Sequence, residues 1–395
     1  MLINDERAIA VMENSGLDAL VATTPENVAY LTGFWVLTSL RHRVRQVFAV
    51  ITRDDLKADL IIPRGLADAA VLGQTWVSRF HVYGNFFYCM DSIGKADKET
   101  RSLIDVLDAS PSYSDAVEAL AGCLAERGLS SAKIGIDQGN DVVGLCEPLK
   151  KKLPRLSHMP AYDLFRQIRI VKTEAEIVRI RRAVSVTEEA LMDAIGVITD
   201  GVKESEVALA YNTGVARRGG LQSLDCIGSG PRGAYPGVRA KDRVIRTGDV
   251  VRFDVGCIVD CYHADLARTA VLGQPDAKTR LYHNAIATGE RAIIEAMRPG
   301  VAVSNLFRLG VTTIRASGIP HYERNHCGHG NGIEGYDLPQ ITPNDATILS
   351  PGMVLCIETP YYEPGFAGLQ IEDIVVVRED GAEYLTKLEQ KLFVV

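Results

Sequence analysis

Four carboxylic side chains interrupt apolar, strand-like segments in the second half of the chain, and this feature constrains the fold most. Asp254 lies in VVRFDVG and Asp265 in YHADLARTAV. Glu358 ends GMVLCIE, and Glu372 lies inside GLQIEDIVVV. A carboxylate inside a buried strand carries a large desolvation cost unless it is paired or binds a metal ion. Because neighbouring carboxylates also repel one another, the pattern predicts that one or two cations lie between them.

The spacing of these residues suggests how they meet. The segment GCIVDCY between Asp254 and Asp265 is short enough for a hairpin, which would bring the two carboxylates side by side. His329 lies in the glycine-rich segment HCGHGNGIEG, where the backbone comes close and leaves the imidazole open to a partner. We therefore expect His329 to complete the same site.

One imidazole and four carboxylates form an oxygen-rich ligand set. Such a set suits Mn²⁺, Co²⁺, Fe²⁺ or Zn²⁺ rather than a thiolate-type zinc site. We expect two divalent ions, Mn²⁺ first among them, because carboxylates bridge ions roughly 3.5 Å apart and such pairs activate water at neutral pH.

Patterns along the chain predict two domains, residues 1–165 and 166–395. In the first, strand signals at 18–23, 44–52, 59–63 and 133–137 alternate with helical signals at 5–15, 65–72, 100–108 and 113–127, which is typical of a layered α/β domain. The second begins with a long charged helix, for which Thr173 and Glu176 predict a capping box. Strands at 249–255, 267–272, 353–358 and 369–377 and helices at 277–297 and 303–317 then cluster, which favours an α+β fold.

Composition limits the partners of the chain. Its 395 residues carry a net charge of −7 and 47% hydrophobic residues, as in an ordinary globular protein. The sequence has no Lys/Arg run long enough for nucleic-acid binding, and no apolar stretch of the roughly 18 residues that span a bilayer. The acidic N-terminal segment lacks a secretory pattern, and none of the eight cysteines lies in a C-x-x-C pair. We therefore expect a cytoplasmic protein with reduced thiols that binds neither nucleic acid nor membrane.

Several segments together resemble the pita-bread metallohydrolases (family M24), which include methionine aminopeptidase, Xaa-Pro aminopeptidase, prolidase and creatinase-type enzymes. In the second domain these segments are GDVVRFDVG, HADLARTAVLG, GHGNGIE, VLCIETP and GLQIEDIVVV, in the order and spacing of the family. In the first part, NVAYLTGF resembles the non-catalytic domain of prolidase and creatinase, and IVKTEAEIVRIRRA resembles their linker helix. The resemblance covers nearly the whole chain.

This resemblance implies a homodimer, a ribonuclease-H-like α/β domain at the N-terminus and a pita-bread catalytic domain. It also implies a role for each ligand. Asp254 would bind one metal ion through both oxygens, and Asp265 and Glu372 would bridge both ions. His329 and Glu358 would bind the other ion, with Glu358 also taking the proton of the attacking water.

The chain departs from the peptidases at positions beside the ligands. Peptidase members carry two further histidines, which this chain replaces with Gly237 and Tyr336. Asp337 and Gln370 stand where peptidases have Glu and Arg. Loss of a donor to the transition state typically costs about 10² to 10³ in rate. Tyr336 retains a hydroxyl donor, so we expect it to act in catalysis in place of the second histidine.

Other side chains are candidates for contact with the substrate. His326 precedes His329 closely, and Asp337 follows Tyr336. Arg232 and Arg239 lie in the turn-rich segment GPRGAYPGVRA and could clamp a substrate carboxylate, or be solvated loop residues. Tyr361, with its neighbour Tyr362, follows Glu358 and could line the pocket or serve only in packing.

Together these observations predict a dinuclear metal-dependent hydrolase of a C–N amide bond. One reading is an Xaa-Pro dipeptidase or aminopeptidase, which the five ligands favour. The alternative is a small-molecule hydrolase of the same fold, similar to ectoine hydrolase or creatinase, which Tyr336, Gln370 and Gly237 favour. A lyase or a non-catalytic binding protein would be a further departure, and the complete ligand set argues against the latter.

Overall fold

Short apolar segments of the first unit form a seven-stranded mixed sheet. The computed structural model describes residues 2–35, 46–73, 75–138 and 144–395, and it divides into two units, Met1–Arg169 and Ile170–Val395. The strands of the first unit are β1 (Ala19–Ala22), β2 (Phe48–Thr52), β3 (Asp55–Pro63), β4 (Arg79–Tyr83), β5 (Ser112–Tyr113), β6 (Lys133–Ile136) and β7 (Ser157–Pro160). Their order is β5-β4-β3-β2-β1-β6-β7, in which β2 is antiparallel to β1 and β3 and the remaining neighbours are parallel.

Polar caps set the starts of several helices in this unit. Its helices are α1 (Asp5–Ser15), α2 (Pro25–Thr32), α3 (Ala67–Val71), α4 (Lys98–Ala109), α5 (Ala116–Glu126), α6 (Cys146–Lys152) and α7 (Tyr162–Arg169). The side chains of Asn4, Thr24 and Asp115 accept hydrogen bonds from the first turns of α1, α2 and α5. The boundary predicted between residues 165 and 166 falls inside α7, which belongs wholly to the first unit.

The second unit is built on a nine-stranded sheet. The strands of this unit, nine of which form the sheet, are β8 (Leu221–Ser229), β9 (Val250–Val259), β10 (Tyr262–Val271), β11 (Gly328–Gly330), β12 (Asp337–Gln340), β13 (Val354–Glu358), β14 (Tyr361–Glu363), β15 (Ala367–Leu369), β16 (Glu372–Arg378), β17 (Gly381–Tyr384) and β18 (Phe393–Val394). The main path is β12-β11-β13-β16-β10-β9-β8, with β17 beside β16 and β18 beside β10. Strands β14 and β15 pair separately. Neighbours on the main path are antiparallel.

Four long helices belong to this unit: α8 (Glu174–Gly196), α9 (Glu204–Arg217), α10 (Ala277–Ala296) and α11 (Val303–Ala316). The predicted capping box at the start of α8 is confirmed, because the Thr173 side chain accepts from the backbone of Glu176 and the Glu176 side chain accepts from that of Thr173. Helix α8 packs on β9 and β10, and α10 packs on α11. The grouping of helices and strands makes the fold α+β.

The predicted hairpin joins β9 to β10. Its two turn residues, Asp260 and Cys261, have φ values of 49° and 72°, and Val259 pairs with Tyr262 across the turn. Two consecutive left-handed residues form the tight turn whose twist matches that of the flanking strands. The pairing continues for ten residue pairs, which sets the position of every side chain on the two strands.

One predicted strand is divided in the structure. The sequence pattern predicted a continuous strand over 369–377, but β15 ends at Leu369 and β16 begins at Glu372. At the break, the backbone of Gln370 bonds to the Thr269 side chain, with N to Oγ1 at 2.9 Å and Oγ1 to O at 3.0 Å. The Thr269 hydroxyl thus gives a hydrogen-bond partner to both the N–H and the carbonyl group of Gln370, at a residue that belongs to neither strand.

Every helix in the described part of the chain is too short or too polar to span a membrane.

Candidate metal centre

The register of four antiparallel strands aligns three of the predicted ligands in a row. Ala267 on β10 pairs with Asp254 on β9 and, on its other side, with Glu372 on β16. Glu372 in turn pairs with Glu358 on β13. Directly paired residues project from the same face of a sheet, so the three carboxylates face one region. Non-local strand pairing therefore assembles residues that lie more than a hundred positions apart.

A second row lies two residues along the same strands. Asp265 pairs with Gly256, and His329 pairs with Cys356. Side chains alternate along a strand, so residues two positions apart lie on the same face. Asp265 and His329 therefore lie on the face of the sheet that carries the first row. Glycine is required at position 256, since a Cβ there would lie 2.3 Å from the carbonyl oxygen of Ala264.

Side-chain oxygens of three acids converge closely. One oxygen each from Asp254, Asp265 and Glu372 lies within 4.8 Å of the others. The Nε2 atom of His329 lies 3.9 Å from Oδ2 of Asp265 and 3.8 Å from Oε1 of Glu372. Within the described part of the chain, Asp265 Oδ1, His329 Nε2 and Glu372 Oε1 are buried and have no hydrogen-bond partner. Buried polar atoms without partners are rare in native proteins, and a bound ion is one of the partners that accounts for them.

The hydrogen bonding of His329 suits a metal ligand. Its Nδ1 lies 3.0 Å from the carbonyl oxygen of Gly330 and donates to it. That bond assigns the remaining lone pair to Nε2, the atom that points toward the carboxylates. Burial lowers the pKa of His329 to about 4, so the ring is neutral. A neutral nitrogen lone pair facing carboxylate oxygens is repulsive unless a cation lies between them.

The electrostatics of the acids lead to the same conclusion. Burial raises the pKa of Asp254, Asp265 and Glu372, and the neighbouring carboxylates raise the last two further. Their charged forms are therefore unstable in the protein alone. Divalent cations stabilise clustered carboxylates of this kind, and the donor set of oxygens with one imidazole nitrogen fits them.

Glu358 lies beside this group with partners of its own. Its Oε1 is 3.1 Å from His326 Nδ1, and its Oε2 is 3.4 Å from Arg324 Nη2. Burial raises the pKa of Glu358 to about 7, although Arg324 acts in the opposite direction. His326, a predicted substrate contact, therefore touches the acid that is the predicted proton acceptor. Sequence reasoning missed Arg324, because no periodic pattern marks it.

A second arginine at the site was also missed. Arg252 is completely buried, and its Nη1 lies 3.0 Å from Asp254 Oδ2 and 2.7 Å from Gln370 Oε1. Its other nitrogens donate to the carbonyl oxygens of Gly233, Tyr235 and Pro236. A signal for Arg252 was present, since it precedes Asp254 by two residues and so shares its face of β9.

Two tyrosines flank the cluster. The Tyr336 ring stacks on that of His329, and burial, together with the nearby carboxylates, raises the pKa of the Tyr336 hydroxyl. The Tyr362 ring lies 5.2 Å from the guanidinium carbon of Arg252 and 5.7 Å from that of Arg324. Of the two adjacent tyrosines that could line the pocket, Tyr362 therefore lies beside residues of the site.

Four residues that were predicted to contact the substrate have partners within the protein. Asp337 is fully buried, and its Oδ2 lies 3.5 Å from Lys172 Nζ. The Tyr361 hydroxyl donates to Glu363 at 2.7 Å and lies 3.0 Å from His321 Nε2.

The two loop arginines are also engaged. Arg232 Nε lies 3.1 Å from an oxygen of the buried Glu204, and its Nη2 donates to the carbonyl of Arg239. Arg239 is ion-paired with Asp225, and its side chain is 64% exposed. These contacts connect both guanidinium groups to acidic or backbone partners around the loop.

Comparison with known families matches both parts of the chain. Residues 178–379 match the model of metallopeptidase family M24, and residues 6–171 match the creatinase/prolidase N-terminal domain. The Xaa-Pro dipeptidase of Pyrococcus horikoshii is 34% identical over 251 residues, which are 63% of this chain and 72% of that protein. The Xaa-Pro dipeptidase of Pyrococcus furiosus is 35% identical over 58% of this chain and 67% of its own length.

Solved structures share the fold over nearly the whole chain. The prolidase from Pyrococcus furiosus superposes with a TM-score of 0.74 at 27% identity, covering 96% of this chain and 99% of that one. Dipeptidase PepE from Mycobacterium ulcerans gives 0.77 at 25% identity, covering 99% and 96%. The fold is therefore the α+β pita-bread fold that the sequence predicted.

Proposed function

The chain belongs to metallopeptidase family M24, and from this premise we propose that it cleaves Xaa-Pro dipeptides at a centre of two divalent ions. It is a peptidase-type, metal-dependent hydrolase that acts on C–N amide bonds. The proposed ligands are Asp254, Asp265, His329, Glu358 and Glu372. The proposed native ion is Mn²⁺, which favours an oxygen-rich set.

One observation carries the proposal. Three buried ligand atoms, Asp265 Oδ1, His329 Nε2 and Glu372 Oε1, have no hydrogen-bond partner in the described residues and point into one space. A buried polar group without a partner costs about 1–3 kcal/mol, so three such groups together cost several kcal/mol. A site of this kind is stable when cations occupy it. When bound there, such ions lower the pKa of water and polarise an amide carbonyl.

The residues of the chain then supply positioning and proton transfer. Glu358 would take the proton that the attacking water loses, as the resemblance to the family implies. His326 Nδ1 and Arg324 Nη2 hold the two oxygens of Glu358 in place. The Tyr336 hydroxyl donates to the oxygen of the scissile amide as negative charge develops there.

The proposed substrate follows from the relatives and from the aromatic rings. Both Pyrococcus relatives are Xaa-Pro dipeptidases. Tyr336 is 53% exposed although one face of its ring covers His329, so the other face is open to a ligand. An apolar pyrrolidine ring packs favourably on such a face. We therefore assign the proline of the dipeptide to the outer face of Tyr336.

The cellular setting and assembly are part of the same proposal. The eight cysteines are free thiols, which supports a reducing cytoplasmic location. The resemblance to dimeric prolidases and creatinases supports a homodimer.

A substrate panel tests this function. The metal-stripped protein is reloaded with Mn²⁺ and assayed for product release from Gly-Pro and Ala-Pro, with Gly-Leu, N-acyl amino acids and cyclic amidines as comparators. We expect proline release from the first two and at least about tenfold lower kcat/KM for Gly-Leu. Turnover of a cyclic amidine or N-acyl compound without proline release would assign the site to another amide.

A further inference from the structure

We propose that the thiol of Cys356 is a further metal ligand, which together with His329 and Glu372 forms a site for thiophilic divalent ions such as Cd²⁺, Co²⁺ or Zn²⁺. The inference rests on the proposed metal centre and deepens it, because it adds a sulfur donor to an oxygen-rich set. It predicts that this centre discriminates between soft and hard cations.

Strand pairing places the thiol among the ligands. Cys356 on β13 pairs directly with His329 on β11, and it precedes Glu358 on the same strand by two residues. All three side chains therefore lie on the face of the sheet that carries the carboxylates. The Sγ atom, a nitrogen of His329 and an oxygen of Glu372 lie within 4.8 Å of one another.

These separations suit a tetrahedral ion with small side-chain adjustments. Zinc lies about 2.3 Å from sulfur and about 2.0 Å from imidazole nitrogen, so adjacent ligand atoms in a tetrahedral site are separated by roughly 3.3–3.8 Å. The distance between His329 Nε2 and Glu372 Oε1 is 3.8 Å. Both atoms are buried and lack a hydrogen-bond partner in the described residues, so they point into a space that the thiol also borders.

The thiol has only a weak competing contact. Its Sγ lies 3.8 Å from the carbonyl oxygen of Asp265, which is long even for a sulfur donor, and the residue is fully buried. Coordination breaks the S–H bond, forms a sulfur–metal bond and releases the proton to solvent. Thiolate ligands favour soft ions, whereas Mn²⁺ favours oxygen. Cd²⁺ should therefore gain more from Cys356 than Mn²⁺ does.

A second buried cluster of the same residue types provides a control. Asp59, His81 and Cys123 in the first unit also place ligand atoms within 4.8 Å. There, however, Asp59 is already paired with Arg79 Nε at 3.1 Å and with Arg127 Nε at 2.6 Å. Two guanidinium groups neutralise this carboxylate and repel a cation, so Cys123 is a matched buried thiol that should bind none.

The test is cobalt spectroscopy on the full chain. The metal-stripped protein is titrated with Co²⁺, bound ion is measured by equilibrium dialysis, and near-ultraviolet sulfur-to-cobalt charge-transfer absorption is recorded. We expect the band in the natural protein and in Cys123→Ser, and its loss in both Cys356→Ser and Cys356→Ala. Circular dichroism establishes that each variant is folded. Two Cys356 substitutions guard against the failure of one to fold.

Competition between ions gives an independent readout. The preference for Cd²⁺ over Mn²⁺ should fall at least about tenfold in Cys356→Ser and remain unchanged in Cys123→Ser. Bound Co²⁺ without the band, or a band that survives in the Cys356 variants, would overturn the thiol site and leave the carboxylate centre intact. Failure of the natural protein to bind any divalent ion would overturn the proposed function as well.

Discussion

The ring of Tyr336 stacks on the ring of His329, with centroids 3.7 Å apart and planes inclined by 18°. His329 is only 1% exposed, so the tyrosine covers the proposed ligand on its open side. The stack restrains the same imidazole whose Nδ1 donates to the Gly330 carbonyl. Tyr336 thus combines a packing contact with a hydroxyl near the carboxylates, and substitutions can separate the two.

Removal of the hydroxyl alone should impair the chemical step. Tyr336→Phe keeps the ring stack and removes the donor, so we expect kcat for Gly-Pro to fall at least about tenfold with little change in metal content. Tyr336→Ala also removes the stack and should weaken metal binding. Steady-state kinetics and metal analysis separate the two effects. An unchanged kcat in Tyr336→Phe would reduce the residue to a packing role.

The proposed ligands should couple metal binding to stability. Asp254→Asn and Glu372→Gln should both abolish tight Mn²⁺ binding and turnover, because each removes an anionic donor. In the natural protein, an ion at 100 times its dissociation constant adds about 2.7 kcal/mol to the free energy of unfolding. Thermal unfolding with EDTA or Mn²⁺ measures this gain, which both variants should lose.

Asp380→Asn is the matched control, since Asp380 is an exposed acid. It should retain the full stabilisation by Mn²⁺ and normal turnover. Full activity in Asp254→Asn or Glu372→Gln would show that the ligand assignment is wrong.

Arg252 should be essential for the integrity of the centre. Arg252→Leu leaves Asp254, Gln370 and three carbonyl groups without their donor, and loss of one member of a buried pair costs about 3–5 kcal/mol. Arg252→Lys should recover only part of this, because an ammonium group lacks the forked geometry. Urea unfolding measures the loss. Arg246→Leu, at an ion pair with Asp200 whose side chains are 64% and 55% exposed, should cost much less, because solvent screens such a pair. Equal costs at both positions would contradict the role of Arg252.

The metal-free protein should lose stability as pH rises. Burial raises the pKa of Glu358 from 4.5 to about 7, so between these values the folded state holds a proton that the unfolded state has released. The free energy of unfolding therefore falls with pH across this window. Urea unfolding in EDTA over about pH 5 to 8 should show a smaller decline in Glu358→Gln, which cannot titrate. Identical slopes in the two proteins would place the titration elsewhere.

Local sequence patterns were sufficient for much of the fold. The hairpin between β9 and β10 and the capping box at Thr173 depend on residues a few positions apart, and both are present. The carboxylates in apolar strands predicted that these side chains would lie together around a cation, because burying a single unpaired carboxylate costs too much free energy. The division between β15 and β16 was missed, since the bond from Thr269 to Gln370 joins residues far apart in the chain.

The sequence by itself determined which residue types must meet in the second unit: four acids in otherwise apolar segments and a histidine in a glycine-rich segment. Only the tertiary structure decided their neighbours. The register of β11 against β13 placed Cys356 opposite His329, and the packing of β9 placed Arg252 against Gln370. It also paired Asp337 with Lys172. The physical reason is range: burial and periodicity act along a few residues, whereas partners across a sheet depend on pairings between strands that lie tens of residues to more than a hundred residues apart.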